Sequence, residues 1–292
     1  MSTYRLDLEY EGTRYHGWQV QKNARSVAGE LRRAITGAGA SIVELGGAGR
    51  TDAGVHALAQ TAHLRLRRPV EPMAFRRAIN DSLPPDIHVL SVMPAADGFH
   101  SRHDALARSY LYQISRRRTA HAKRHVWWVK RALNLPSMSS AAARLTGTHD
   151  FALFCEKPAE QTSTIVQVDS AEIAAAGALV LVRLTASHFL WKMVRRVVGM
   201  LVRVGSGELS HEEFAALLSG ELPPGLQEGI ARWTAPASGL FLARVIYPGE
   251  PPLAPVAPAI PTSEEGAPAD GLYTGAASRS RGARRVPSVE RP

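Results

Sequence analysis

Gly46-Gly47-Ala48-Gly49-Arg50-Thr51-Asp52-Ala53-Gly54-Val55-His56 is the most informative stretch of this chain. Before it, Ile42-Val43-Glu44-Leu45 reads as the end of a strand. After it, Gln60 to Leu66 alternates, with Ala62, Leu64 and Leu66 on one face and His63 and Arg65 on the other. The glycines between permit backbone angles that other residues avoid. A carboxylate and a guanidinium stand two residues apart, so in an extended loop Arg50 and Asp52 project to the same side. Asp52 is therefore the candidate for chemistry and Arg50 the candidate for holding a substrate. The competing reading is an ordinary turn in which Asp52 bonds its own backbone. A phosphate loop is excluded because no Gly-Lys-Ser/Thr follows. A dinucleotide fingerprint is excluded because Asp52 stands at the third glycine position and a strand follows.

Working outward, the chain has 292 residues, enough for about two domains. Its 45% hydrophobic content is that of a globular protein. Lys and Arg outnumber Asp and Glu by 35 to 26, a formal charge of +9, which points to an acidic partner, with nucleic acid first. On that reading Arg50 holds RNA beside Asp52. The single cysteine, Cys155, excludes a disulfide framework and a cysteine-based zinc site. His121 and His125 are four apart, but no third ligand is evident, so no metal is expected. The start at Met1 runs straight into an alternating strand and no apolar run approaches a membrane span, so a cytoplasmic protein with no membrane partner is expected.

Tyr4 to Glu11 alternates apolar and polar, a strand with one buried face. Gly12 to Gln21 is a loop with Trp18 as its large apolar residue. Ser26 reads as an N-cap, with Val27, Leu31, Ala34 and Ile35 as a helical stripe. A second helix is expected from Pro72 to Leu83, stopped by Pro84-Pro85, and a strand from Ile87 to Val92. This order of strand, helix, strand, strand, helix, strand defines an α+β unit.

A second unit repeats the pattern. Arg108 to Ile114 alternates, with Tyr110, Tyr112 and Ile114 on one face. A basic connection, Arg116-Arg117-Arg118 with Lys123-Arg124, leads to Trp127-Trp128, read as core tryptophans. Helices are expected at Pro136 to Leu145, Phe189 to Val204 and, behind a Ser210-to-Glu213 capping box, through Leu218. In the long helix Lys192, Arg195, Arg196 and Arg203 mark the polar side. A hairpin around Gly177 and a last strand at Leu240 to Tyr247 complete the unit. The boundaries expected are 1–105, 106–248 and a Pro/Ala/Arg-rich disordered tail, 249–292, ending in Arg279, Arg281, Arg284, Arg285 and Arg291.

The series Tyr10-Glu11-Gly12-Thr13, Gly17 to Gln21, Gly49 to Ala57, Leu83 to Ile87, Phe99-His100-Ser101-Arg102, Arg108 to Tyr112, His149-Asp150-Phe151, Phe189 to Gly199 and Gly239 to Leu242 resembles, in order, the bacterial tRNA pseudouridine synthases of the TruA type. The resemblance spans about Tyr4 to Pro248. It implies an α+β fold of two similar sheet-plus-helix halves forming one extended, mostly antiparallel sheet with the active cleft between them. It implies a homodimer that binds tRNA, and conversion of uridine to pseudouridine at positions 38, 39 and 40 of the anticodon arm without a cofactor. Asp52 matches the family's catalytic aspartate, acting as nucleophile at sugar or base or as a base toward the ribose. Arg50 matches the arginine that fills the space left by the flipped uracil. Tyr110 matches the tyrosine that packs on that uracil, and Arg195 the arginine that pairs with the aspartate. Phe99, His100, Ser101, Arg102 and His103 resemble the tRNA-contacting loop.

The chain departs from the family at Ala28, where glutamine is expected, and around Val166, after Ser163-Thr164, where an arginine is usual. Trp191-Lys192 stands where smaller or polar residues are common. These departures leave open a specialised paralogue acting on another RNA or on a free uridine nucleotide.

Overall fold

A computed structural model of the chain describes residues 1–226 and 229–262. The first unit runs β1 (Ser2–Tyr10), α1 (Val27–Gly37), β2 (Ile42–Gly47), β3 (His56–Leu66), α2 (Pro72–Ser82) and β4 (Ile87–Pro94). The second runs β5 (Ala107–Ser115), the short β6 (Trp127–Trp128), α3 (Leu135–Ala143), β7 (Gly147–Asp150), β8 (Ile165–Ala176), β9 (Leu179–Ala186), α4 (Met193–Gly205), α5 (His211–Leu218), α6 (Gly229–Arg232) and β10 (Leu240–Ile246). Setting aside the short β6, β7, α5 and α6, the second unit repeats the first: strand, helix, strand, strand, helix, strand. Described residues form one sheet in the order β4-β1-β3-β10-β5-β9-β8-β7, with β2 also on β3 and β6 on β5.

The seam between the units positions the site. β2 pairs with the far end of β3, from Ala62 to Leu66, whereas β10 pairs with its beginning, His56 and Ala57, in parallel. The loop between β2 and β3 therefore emerges where the first sheet stops and the second begins. β5 is buried along its whole length because it lies between β10 and β9 and is covered on both faces. Most other pairings are antiparallel, so alternate residues serve opposite faces. One face carries Leu6, Leu8, Tyr110, Tyr112 and the helices; the other carries a smaller cluster around Leu111, Leu181 and Phe241.

Helix boundaries follow local chemistry. The Ser26 hydroxyl accepts from Gly29 N at 3.3 Å, opening α1, a cap worth about 1 kcal/mol. Glu71 and Pro72 open α2 in the same way. The Ser210–Glu213 capping box is formed. α4 starts at Met193 rather than Phe189, because Lys192 sits in the left-handed region at φ 61° and breaks helical continuity. Arg196, read on the polar side of this helix, is 8% exposed and donates to the Cys155 carbonyl and the Glu156 carboxylate. Trp128 is 39% exposed rather than in the core, with Arg118 over its ring.

Gly199, in the middle of α4, allows a close backbone approach. A methyl on its Cα would overlap the Trp233 carbonyl, so α4 packs there backbone to backbone. Gly199→Ala is expected to lower the thermal midpoint, reflecting a loss of about 1–3 kcal/mol; an unchanged melt contradicts this close packing.

The tail expected to be disordered from 249 is placed against the sheet as far as 262. Ala259 N and Ile260 N donate to Gln113 Oε1, and Arg183 donates to the Ala254 carbonyl. Val256, Ala259 and Ile260 cover the smaller cluster. The terminal arginines from Arg279 to Arg291 lie outside the described residues. Among the described residues no helix is long and apolar enough to cross a membrane.

Candidate active site

The β2–β3 loop is clamped from below. Ala48 N donates to the Thr61 carbonyl at 2.8 Å. The wholly buried Gln60 side chain pairs with Gly49 as a strand would: its Oε1 accepts from Gly49 N at 3.2 Å and its Nε2 donates to Gly49 O at 2.7 Å. Thr51 turns inward, its hydroxyl 2.8 Å from Tyr10 Oη. Burial pushes the Tyr10 phenol up to about 12, so it stays a neutral partner. With Thr51 fixed inward, its neighbours Arg50 and Asp52 line the cleft. Gly17 closes the clamp at φ 90°, letting Trp18 N reach the Thr51 carbonyl at 3.1 Å.

The cleft has a volume of about 910 Å³. Among the described residues its walls carry five cationic side chains, Arg50, Arg102, Arg108, Lys192 and Arg195, and one acidic one, Asp52. Arg195 Nη1 stands 3.8 Å from Asp52 Oδ2, a loose pair, while its Nε donates to the Ala235 carbonyl at 2.7 Å. Burial raises the Asp52 carboxyl above its ordinary range; the Arg195 and Lys192 charges and a hydrogen bond from Trp191 pull it back. Tyr110 is 8% exposed and packs edge-on to Phe189, ring centroids 5.0 Å apart. Burial raises its phenol well above the usual range, so the hydroxyl remains protonated. Among the described residues the Arg50 guanidinium makes no ion pair or hydrogen bond and is exposed, free to meet a ligand.

The residues expected to touch tRNA divide. Arg102 and His103 line the cleft. Ser101 is wholly buried, its hydroxyl between His63 Nδ1 and the Gly46 carbonyl, and Tyr247 Oη donates to its carbonyl at 2.6 Å. Phe99 packs against Tyr247, and His100 packs at a tilt between His63 and His103. These three residues build the loop that presents the other two.

Arg108 and Gln60 are the site residues that sequence reasoning gave no role. Arg108 is 7% exposed and has no carboxylate partner among the described residues. All its N–H groups go to backbone carbonyls: Nε and Nη2 to Ala48 (3.3 and 3.1 Å), Nη2 to Arg102 (2.5 Å), and Nη1 to Ala105 (3.3 Å) and Ser187 (2.8 Å). One guanidinium thus ties the β2–β3 loop, the 99–105 loop and the end of β9 together. Burial lowers its pKa. No local signal marked this role, because Arg108 opens a strand that reads as alternating and its burial shows only in the folded sheet.

Among the described residues, two histidine–carboxylate clusters lie outside this chemistry. His125 meets Glu11 and His56 rather than His121, so the partners not evident from spacing come from the residue just past β1 and from the start of β3. His56 is occupied at both nitrogens: Nδ1 accepts from Gly12 N at 3.0 Å, and Nε2 faces the carbonyls of Arg124 and Ser238 at 3.0 and 3.2 Å. His63 meets the Ser101 amide and hydroxyl through Nδ1, and its Nε2 lies 3.3 Å from Glu44 Oε1. Both tie strands to loops.

Cationic walls around one adjustable carboxylate suit a polyanionic substrate such as nucleic acid. The sequence profile of the family described as tRNA pseudouridine synthase matches residues 8–104 and 141–248, and the chain belongs to that family. Three relatives are each called tRNA pseudouridine synthase A. That of Maricaulis maris is 38% identical over 85% of this chain and 99% of its own length. That of Rhodopseudomonas palustris is 38% identical over 85% and 100%, and that of Beijerinckia indica 39% over 86% and 95%.

Proposed function

We propose that this chain isomerises uridine to pseudouridine in the anticodon arm of tRNA, with Asp52 as its essential group. The supporting observation is the inward Thr51, which leaves Asp52 facing a basic cleft within reach of Arg195. The reaction breaks the N1–C1′ bond, rotates the base and joins C5 to C1′; C5 gives up its proton and N1 gains one. Nothing is oxidised. The target leaves its stack at a cost of a few kcal/mol. Arg50 enters the vacated space, Tyr110 packs against the everted uracil, and Arg102 and His103 meet phosphates. Whether Asp52 attacks carbon or removes a ribose proton, it works ionised. The homodimer implied by the resemblance and the cytoplasmic setting expected from the sequence belong to the same proposal; light scattering that gives the mass of one chain contradicts the dimer.

Of the departures from the family, Trp191 and Lys192 line the cleft, whereas the other two stand away from it. Ala28 is buried in α1 and Val166 is wholly buried in β8, and neither lines the site. Nothing at those positions supports a free-nucleotide substrate. The test is incubation with an unmodified tRNA transcript and, separately, with free uridine phosphate, followed by nucleoside chromatography. Pseudouridine in the tRNA alone is expected; pseudouridine from the free nucleotide alone refutes the reading.

The raised Asp52 carboxyl fixes a pH dependence. Activity requires the ionised form, so it is lost as pH falls through the folded-state pKa, which lies above the ordinary carboxylate range. Arg195→Met removes a cation that favours ionisation and is expected to move the acid limb of single-turnover rate against pH upward. An unmoved limb contradicts the Asp52–Arg195 pairing.

A further inference from the structure

Trp191 is a large apolar side chain left 41% exposed on the wall of the cleft. Two ammonium groups flank its ring: Lys192 Nζ at 5.4 Å and Lys157 Nζ at 5.8 Å from the centroid. Both lysines sit in the left-handed region, at φ 61° and φ 49°, where a non-glycine backbone is strained. The segment is nonetheless held. The Trp191 carbonyl accepts from Glu156 N at 2.9 Å, and Lys192 Nζ lies 3.5 Å from Glu156 Oε2. Glu156 is anchored in turn by the buried Arg196. A rigid aromatic ring held with cations over it, on long side chains that can swing toward a phosphate, is an arrangement that stacks a base and neutralises its phosphate.

We propose that Trp191 is a stacking platform for the nucleobase next to the target uridine, with Lys157 and Lys192 taking the phosphate between them. This deepens the reading that the cleft takes RNA and rests on it. The geometry sets the neighbour rather than the target on this ring. Tyr110 and Phe189 form the inner apolar wall near the β2–β3 loop, whereas Trp191 turns its indole N–H to Asp52 and leaves the rest of its ring 41% exposed toward the cleft mouth. The platform selects for a flanking base that stacks well, purine over pyrimidine, without reading its hydrogen-bonding edge.

The test measures affinity for an unmodified anticodon-arm RNA, and single-turnover rate, in the full chain and in Trp191→Phe and Trp191→Ala. Trp191→Ala is expected to weaken binding about 5- to 100-fold and Trp191→Phe less than about threefold. Intrinsic tryptophan fluorescence is expected to be quenched when RNA binds the unaltered chain, and that quench is expected to be largely lost in Trp191→Phe. An alanine variant that binds as tightly as the unaltered chain but turns over more slowly overturns the platform, because Trp191 then acts only through Asp52. A quench that persists in Trp191→Phe also overturns it and assigns the signal to another tryptophan. The two proposals fail separately: conversion of tRNA with unchanged alanine-variant affinity removes only the platform. RNA binding and Trp191-dependent quenching with no conversion remove only the reaction.

Discussion

Asp52→Asn is expected to lower turnover on tRNA by a factor on the order of 10³ or more while leaving affinity within about threefold. The carboxylate is the sole acidic group lining the cleft among the described residues, so no neighbour substitutes for it. Asparagine keeps the size and the extended loop, and the clamp at Thr51 and Gln60 does not involve the lost charge. The RNA contacts proposed for Arg50 and Arg102 are untouched. The same substitution is expected to raise thermal stability. Because the folded-state pKa of Asp52 lies above its unfolded value, its contribution to stability is present at low pH and is lost as pH rises through the folded pKa. At neutral pH the ionised group is therefore a cost of folding that a neutral amide removes. Stability given up at a reacting group is expected where the environment is tuned for chemistry. A melt of Asp52→Asn below that of the unaltered chain would contradict this account of the charge.

Arg108→Met is expected to be the most damaging single substitution to stability. The methionine fills much of the space but leaves the carbonyls of Ala48, Arg102, Ala105 and Ser187 without their shared donor. Buried acceptors stripped of partners cost roughly 1–3 kcal/mol each when water cannot replace the donor. Partial relaxation brings the sum to about 3–5 kcal/mol, a fall in melting midpoint of roughly 10 °C. Turnover is expected to fall with it, because Ala48 is the hinge from which Arg50 and Asp52 are presented. Arg108→Lys keeps the charge but offers fewer donors in a different geometry, and is expected to lie between the two. A methionine variant that melts with the unaltered chain would show that the guanidinium is not the tie between these loops.

What the chain discloses without coordinates is its local physics. Alternation in Tyr4 to Glu11, the Ser26 cap and the Ser210–Glu213 box each signal within a few residues, and each forms where its own chemistry places it. The Arg50 and Asp52 geometry was legible because period two requires only an extended backbone. The missing part is long-range. Gln60 and Arg108 serve atoms 11 and 60 positions away, and nothing adjacent to either residue records that partnership. Arg196 read as surface because helical periodicity places it on the polar side; its partner Glu156 arrives from a separate loop. Phe189 to Lys192 carries helical hydrophobic spacing, yet Lys192 adopts a left-handed turn that spacing does not encode. The early tail lacks apolar periodicity and still docks, because Gln113 supplies hydrogen-bonding atoms that a short extended segment uses without forming a ladder.

Single-turnover release of tritium from tRNA carrying uridine labelled at C5 tests the central claim most directly, since forming the new C5–C1′ bond expels that hydrogen whatever the order of steps. The unaltered chain in excess over RNA is expected to release tritium from anticodon-arm uridines, and Asp52→Asn to release none above background. Release by Asp52→Asn at the rate of the unaltered chain would contradict the account.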